Sequence, residues 1–358
     1  MEKRKNQELI SPDLLIHPGE TILEVINDRG ITQKELAIRT GFSEKHISTV
    51  INGKKSISAD LAKKLEYALD IPASFWRNLQ TNYDLELVVF NELHNISQKE
   101  VDIAKEVKEV IKVFTNESIG KNNSDKVYYL RQRLGVSNLE SIKNLNPAIY
   151  RAQFEKGTSE NIMYAWQYLC EKEVENQTEN PLDIEKLKNN INKIKDVMFD
   201  ENGLHVEKIK ELLNDAGVLF TVKKHVKGAP INGLTVKTKR NQVMIAMTIR
   251  GAYVDIFWFS LFHEIAHVLN EDFNKDQSKW ESNSPLENKA NKLAQDILIN
   301  PDNYKLFLEK GDFSRKAIDR FASSEGVLST IVIGRLMNDE LIPWNSLDHR
   351  RDKYKWSH

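Results

Sequence analysis

The 358-residue chain has one cysteine, Cys170. A single thiol closes no disulfide within the chain and supplies no two- or four-thiolate zinc site, so any metal here must be held by His, Asp or Glu. Long apolar runs are also missing. The most apolar stretch, 252–269, is broken by Asp255, His263, Glu264 and His267, which excludes it as a membrane span. The opening MEKRKNQELISPDLL has no apolar signal core, and a reducing cytoplasm is the expected address. No sign of charge dominates, because 51 Lys and Arg face 52 Asp and Glu for a formal net charge of −1. The chain as a whole is therefore not polybasic. There is no internal repeat and no low-complexity tract. What is present, 40% apolar and 29% charged residues, is the composition of an ordinary soluble globular protein.

At roughly 150 residues per domain, this length argues for two or three domains. Residues 1–84 read as short helices punctuated by Gly30, Gly41, Gly53 and Pro72. Residues 85–210 are polar and mostly helical in pattern, a connector broken at 120–126, Pro147 and 177–183. The texture changes in 211–358. GVLFTVKKH, INGLTVKT and NQVMIAMT are β-branched or apolar runs of strand length, followed by a strongly apolar helix ending near Asn270 and a second helix from about Pro285 to Ile299. The expected class is mainly α with a small sheet (α+β).

In the first segment, Thr32 is placed to cap QKELAIRT, Gly41 to turn the chain, and Ser43 to cap EKHISTVIN before Gly53. Leu36, Ala37, Ile47, Val50 and Ile51 form an inward apolar face at helical spacing. The pair makes a helix-turn-helix with Gln33, Ser43, Glu44, Lys45, His46, Thr49, Asn52, Lys54 and Lys55 left outside. Side chains at the start of the second helix can meet base edges and the two lysines beyond it phosphates. A plain helical subdomain with a solvated polar face fits these spacings equally. HPGE, TQKELA, NGKKSIS and FWRNLQTNYD together resemble the HigA-type antitoxin branch of the XRE helix-turn-helix family. That likeness implies a five-helix domain, a phosphate-clamping role for Gln33 and base-reading positions at Ser43, Lys45, His46 and Thr49. It also implies a homodimer on a palindromic double-stranded DNA operator. Acidic Glu44 in the reading helix suits a cytosine amino group. Lys34, Arg39, Lys45, Lys54 and Lys55 form a basic cluster that the total charge conceals.

The segment LFHEIAHVLN carries His263, Glu264 and His267. On a helix, positions i and i+4 share a face, so both imidazoles can bind one ion while Glu264 faces a water. Two His and one carboxylate suit catalytic Zn2+, with Glu264 as general base toward a peptide bond. Surface charges would be the alternative, but the helix is too apolar for that. Glu287, 24 residues after His263, is the best third ligand, with Glu281 and Asp296 as rivals. Asn291, four residues beyond Glu287, could hydrogen-bond a liganding imidazole. FWFSLFHEIAHVLN followed by ENKANKLAQDILINPD resembles the ImmA/IrrE family of zincin-like metallo-endopeptidases. The match implies His263, His267 and Glu287 as ligands and Glu264 as catalytic base, with Leu293 in place of the usual Phe. The middle stretch, including Tyr150, Arg151 and Trp166, resembles the connector found where such domains follow an antitoxin-type DNA-binding domain.

Cys170 reads as a small buried hydrophobe and the tail HRRDKYKWSH as a frayed terminus. His225, Tyr253 and Tyr304 are candidates for stabilising an oxyanion. The expectation is a DNA-binding regulator of antitoxin type carrying a zinc endopeptidase that cleaves a partner regulator, a cognate toxin or itself. The alternative is a non-enzymatic repressor whose metal site is structural or ligand-sensing.

Overall fold

A computed structural model of the chain describes residues 15–145, 159–228, 232–249, 253–274, 284–344 and 351–354. They divide into two compact units, 1–101 with 120–129 and 102–119 with 130–358. Both are built mainly of helices, and the second contains a small sheet, which is the expected class. Among the described residues no helix is long and apolar enough to cross a membrane.

The first unit opens with five helices, α1 (Pro18–Asp28), α2 (Gln33–Thr40), α3 (Glu44–Ile51), α4 (Ala59–Leu69) and α5 (Ala73–His94). The caps arise where the short polar side chains fall. Thr32 Oγ1 accepts from the Glu35 amide at 3.1 Å, and Ser43 Oγ from the His46 amide at 3.2 Å. Between them Gly41 sits in the left-handed region at φ 71° and lets the chain reverse. The HPGE opening has a mechanical use. His17 Nδ1 accepts from the Gly19 amide at 2.9 Å, and a Cβ on Gly19 would lie 2.2 Å from the Val50 carbonyl oxygen, so only glycine lets α1 approach the end of α3. Ile22, Leu36, Ile47, Ile57, Leu65 and Trp76 form the core. The Gln80 side chain ties α5 to the turn before α4 by accepting from the Ile57 amide at 2.8 Å.

Helices α6 (Gln98–Lys112) and α7 (Asn123–Leu134) each run through both units. The second unit continues with α8 (Glu160–Val174), α9 (Ile184–Asp196) and α10 (His205–Asp215). The sheet follows, with β1 (Val218–Lys224), β2 (Gly233–Lys237) and β3 (Val243–Ile249). Its order is β1-β3-β2, with β1 parallel and β2 antiparallel to β3. Helix α11 (Val254–Leu269) lies against this sheet, with α12 (Pro285–Leu298), α13 (Pro301–Lys310), α14 (Arg315–Glu325) and α15 (Ser329–Asn338) completing the unit. Cys170 is buried in α8, and burial pushes its thiol well above the usual range, which suits the hydrophobic role expected of it.

One finding changes the expectations. The tail is not frayed over residues 351–354. Arg351 Nη1 donates to Asp255 Oδ2 at 3.0 Å, the Val254 amide to the Asp352 carbonyl at 3.1 Å, and Trp258 Nε1 to Tyr354 Oη at 2.7 Å. The side chains of Arg351 and Tyr354 find buried partners on α11 and the Asp352 carbonyl takes its first amide, which outweighs the entropy of a free end. Lys195 on α9 makes a separate tie. Its ammonium donates to the carbonyls of Ile297, Leu298 and Glu325 at 3.1–3.2 Å and so joins the ends of two helices.

Candidate functional site

Helix α11 owes its position to its own composition. Phe257, Trp258, Leu261, Phe262, Ile265 and Val268 are buried, and Asp255, Ser260, Glu264 and His267 are buried with them, while Ile256, Phe259 and His263 form a half-buried stripe. His267 is 1% and Glu264 6% exposed. Polar groups so placed need partners, and Glu264 finds Thr235 while His267 Nε2 faces Glu287.

His263 and His267 stand one turn apart with their Nε2 atoms 3.0 Å from each other. Helix α12 begins at its Ser284 cap, whose hydroxyl accepts from the Glu287 amide, and this fixes the first turn so that the Glu287 carboxylate faces both imidazoles. Glu287 Oε2 is 3.1 Å from His263 Nε2, and Oε1 is 3.3 Å from His267 Nε2. Ligand atoms of His263, His267 and Glu287 converge within 4.8 Å of one another. Burial would raise the Glu287 carboxyl, but the hydrogen bonds and charges of the two imidazoles hold it down at about 2. Burial would also lower His267, and its contact with Glu287, then Glu264 and Asp272, carry it above its ordinary value. A buried anion beside two inward-facing imidazole nitrogens is a donor set that fits a divalent cation of the zinc class.

The rival ligands fall elsewhere. Asp296 is paired with Lys292 at 2.6 Å, and Glu281 lies outside the described residues. The group facing His267 Nδ1, the role given to Asn291, is the fully buried carboxylate of Asp272 at 3.5 Å. Asn291 itself is half-buried on α12. Asp272 lies in the short 3-10 turn Asp272–Asn274 just past α11, and a loop acid five residues after His267 carries no periodic signal that sequence reasoning could have used.

Glu264 turns toward β2. Its Oε2 accepts from Thr235 Oγ1 at 2.7 Å, and Thr235 is fully buried. Gly233, two residues earlier, leaves the space that the Glu264 side chain fills. Of the oxyanion candidates, Tyr304 Oη donates to Asp339 at 2.9 Å, which with burial raises its pKa and commits the hydroxyl elsewhere. The Tyr253 ring is covered by Arg351 and Lys353, and His225 is exposed just after β1. Tyr150 and Arg151 lie outside the described residues, and Trp166 is core.

On the first unit, Ser43, Glu44, Lys45, Asn52, Lys54 and Lys55 are exposed around α3, with Gln33 half-buried at the start of α2. Several are engaged locally. The Ser43 hydroxyl is the cap, Thr49 Oγ1 donates to the His46 carbonyl at 2.7 Å, and the Asn52 amide donates to Ser48. His46, expected at a base-reading position, is half-buried and makes contacts within the turn. Its ring stacks on Phe42 at 4.5 Å with Nε2 covered and Nδ1 3.3 Å from Lys55 Nζ, so it braces the turn. Burial and the Lys55 charge both lower its pKa.

Comparison with known proteins bears on this first unit. The helix-turn-helix family model matches residues 22–76. Virulence-associated protein A' of Dichelobacter nodosus is 38% identical over 73 residues, 20% of this chain and 64% of that protein. Virulence-associated protein I of the same organism is 33% identical over 73 residues, 20% of this chain and 68% of that protein. The chain thus spans about two thirds of the length of the curated relatives it matches.

Proposed function

The chain belongs, through its N-terminal unit, to the helix-turn-helix family, and on that footing we propose that it is a DNA-binding transcriptional regulator of antitoxin type whose second unit is a zinc-dependent endopeptidase. The first unit holds a double-stranded operator, as a homodimer across a palindrome. The second hydrolyses a peptide bond in a partner regulator, a cognate toxin or the chain itself. The observation that carries the enzymatic half is the convergence of His263, His267 and Glu287 with the buried Glu264 alongside. A site of purely structural purpose has no need of that second carboxyl.

The residues divide the work as follows. His263, His267 and Glu287 would hold the ion, and Asp272 orients His267 through Nδ1. Zinc bound there supplies Lewis acidity and a water made acidic near neutral pH. Glu264 would be the general base, taking a proton at its carboxylate and delivering one to the leaving amine. The substrate lies extended beside the sheet, and the two edges differ in how far they can receive it. Along β1, Gln177 occupies the strand partner's place, donating to the Phe220 carbonyl at 2.8 Å and accepting from the Phe220 amide at 3.0 Å. The other edge is β2, which touches Glu264. An added strand there brings its backbone past the general base.

The test is to incubate the full chain, loaded with zinc, with candidate partner proteins beside a Glu264→Gln variant. The variant should retain its zinc and lose roughly two to four orders of magnitude in cleavage rate. Equal cleavage by both proteins removes Glu264 from the mechanism.

A further inference from the structure

Strand β2 places two residues against Glu264. Gly233 and Thr235 are two apart and so share one face of the strand, the face toward α11. Thr235 is completely buried, and its Oγ1 has two acceptors near it, Glu264 Oε2 at 2.7 Å and the Glu264 carbonyl at 3.1 Å. A hydroxyl has one proton to give. The nearer and charged partner takes it, because a bond to a carboxylate is the stronger of the two. Valine would satisfy the strand and the core as well as threonine does, so neither the sheet nor the packing accounts for a hydroxyl here. Gly233 limits the carboxylate near its other oxygen. A Cβ at this position would come within 2.6 Å of Glu264 Cγ and Oε1 and 2.9 Å of Cδ. The side chain is thus clamped at one oxygen by Thr235 and bedded on a bare backbone at Gly233.

We propose that Thr235 and Gly233 are positioning residues for the general base, holding Glu264 through Oε2 so that Oε1 is the oxygen left to take a proton. The proposal rests on the reading of Glu264 as catalytic base given above. It makes β2 a strand with two duties, since its inner face orients the base while its outer edge receives substrate. A small shift in the strand would then misplace the carboxylate, and tolerance for error at a general base is slight.

The experiment uses the full chain loaded with cobalt(II) and titrated with acetohydroxamate, followed by the visible cobalt bands. This probe chelates the ion and hydrogen-bonds a properly placed neighbouring carboxylate, so it reads the orientation of Glu264 without a protein substrate. Thr235→Val should weaken acetohydroxamate by roughly 10- to 100-fold while cobalt content stays at one per chain. Thr235→Ser, which restores the hydroxyl, should titrate like the unaltered protein. Gly233→Ala should reproduce the loss. If Thr235→Val fails to take up cobalt, Thr235→Ala is compared with Thr235→Ser in its place. Wild-type binding by Thr235→Val, with Glu264→Gln weakened, overturns the positioning role and leaves the base intact. Wild-type binding by Glu264→Gln overturns the reading of Glu264 as base, and an unaltered protein that takes up no cobalt overturns both.

Discussion

The two units place their candidate functional side chains in opposite surroundings. Around α3 of the first, Glu44, Lys45, Lys54 and Lys55 stand in solvent on a small core that needs none of them. In the second, Glu264, His267 and Asp272 are buried inside the core, and Thr235 is buried with them. Solvated charges cost the fold little and act through a field that salt screens. Buried ones are expensive singly and persist only as a set in which each satisfies another. The first unit should therefore tolerate loss of its functional side chains while remaining sensitive in its core. In the second, the candidate site and the core share the same atoms, so the proposed function and stability should fail together.

The largest effect expected is from Trp76→Ala, at a fully buried position of the first core. It should cost about 3–5 kcal/mol in chemical denaturation and abolish the operator gel shift, with zinc content unchanged. Loss of zinc from this variant would break the division into units. Next is Arg351→Ala, which strands the buried Asp255 without its cation. A cost of about 3–5 kcal/mol at neutral pH is expected from urea titration. Burial already holds the Asp255 carboxyl above its ordinary range even with Arg351 opposing. The folded chain then keeps that proton to higher pH than the unfolded one, so stability falls as pH rises above about 4. The Arg351→Ala deficit should therefore shrink on acidification, and one that does not change with pH would assign the loss to packing alone.

Asp272→Asn should weaken zinc by roughly 10- to 100-fold in competition with a chelator, with the gel shift unmoved. Unchanged zinc affinity would leave the orientation of His267 to its other neighbours. The smallest effect is that of Lys54→Ala, which should leave stability intact and lower the salt dependence of operator binding by about one unit of slope. A change in sequence preference would instead make Lys54 a base contact.

Much of the first unit was legible because its signals are local. Thr32, Gly41 and Ser43 act within three or four residues of themselves, and the caps and turn lie where the side chains put them. The stacking of His46 on Phe42 was not legible, since it is set by packing across the turn. In the second unit, the i, i+4 geometry of His263 and His267 was readable from helical spacing. The strands fell where β-branched runs predicted, at Val218–Lys224, Gly233–Lys237 and Val243–Ile249. Neither their order nor the docking of residues 351–354 on α11 was readable, because both are decided between segments distant in sequence.

By itself the sequence determined the helix-turn-helix with its caps, the mainly helical class with its small sheet, and the apolar helix bearing two histidines and a glutamate at fixed spacing. These follow from backbone preferences and side-chain periodicity over a few turns. Only the tertiary structure decided that Glu287 arrives from α12 to close on both imidazoles, that Asp272 stands behind His267, and that Thr235 holds Glu264 across 29 residues of chain. Such partners are selected by the need of each buried polar group for another, and that need has no fixed spacing in sequence.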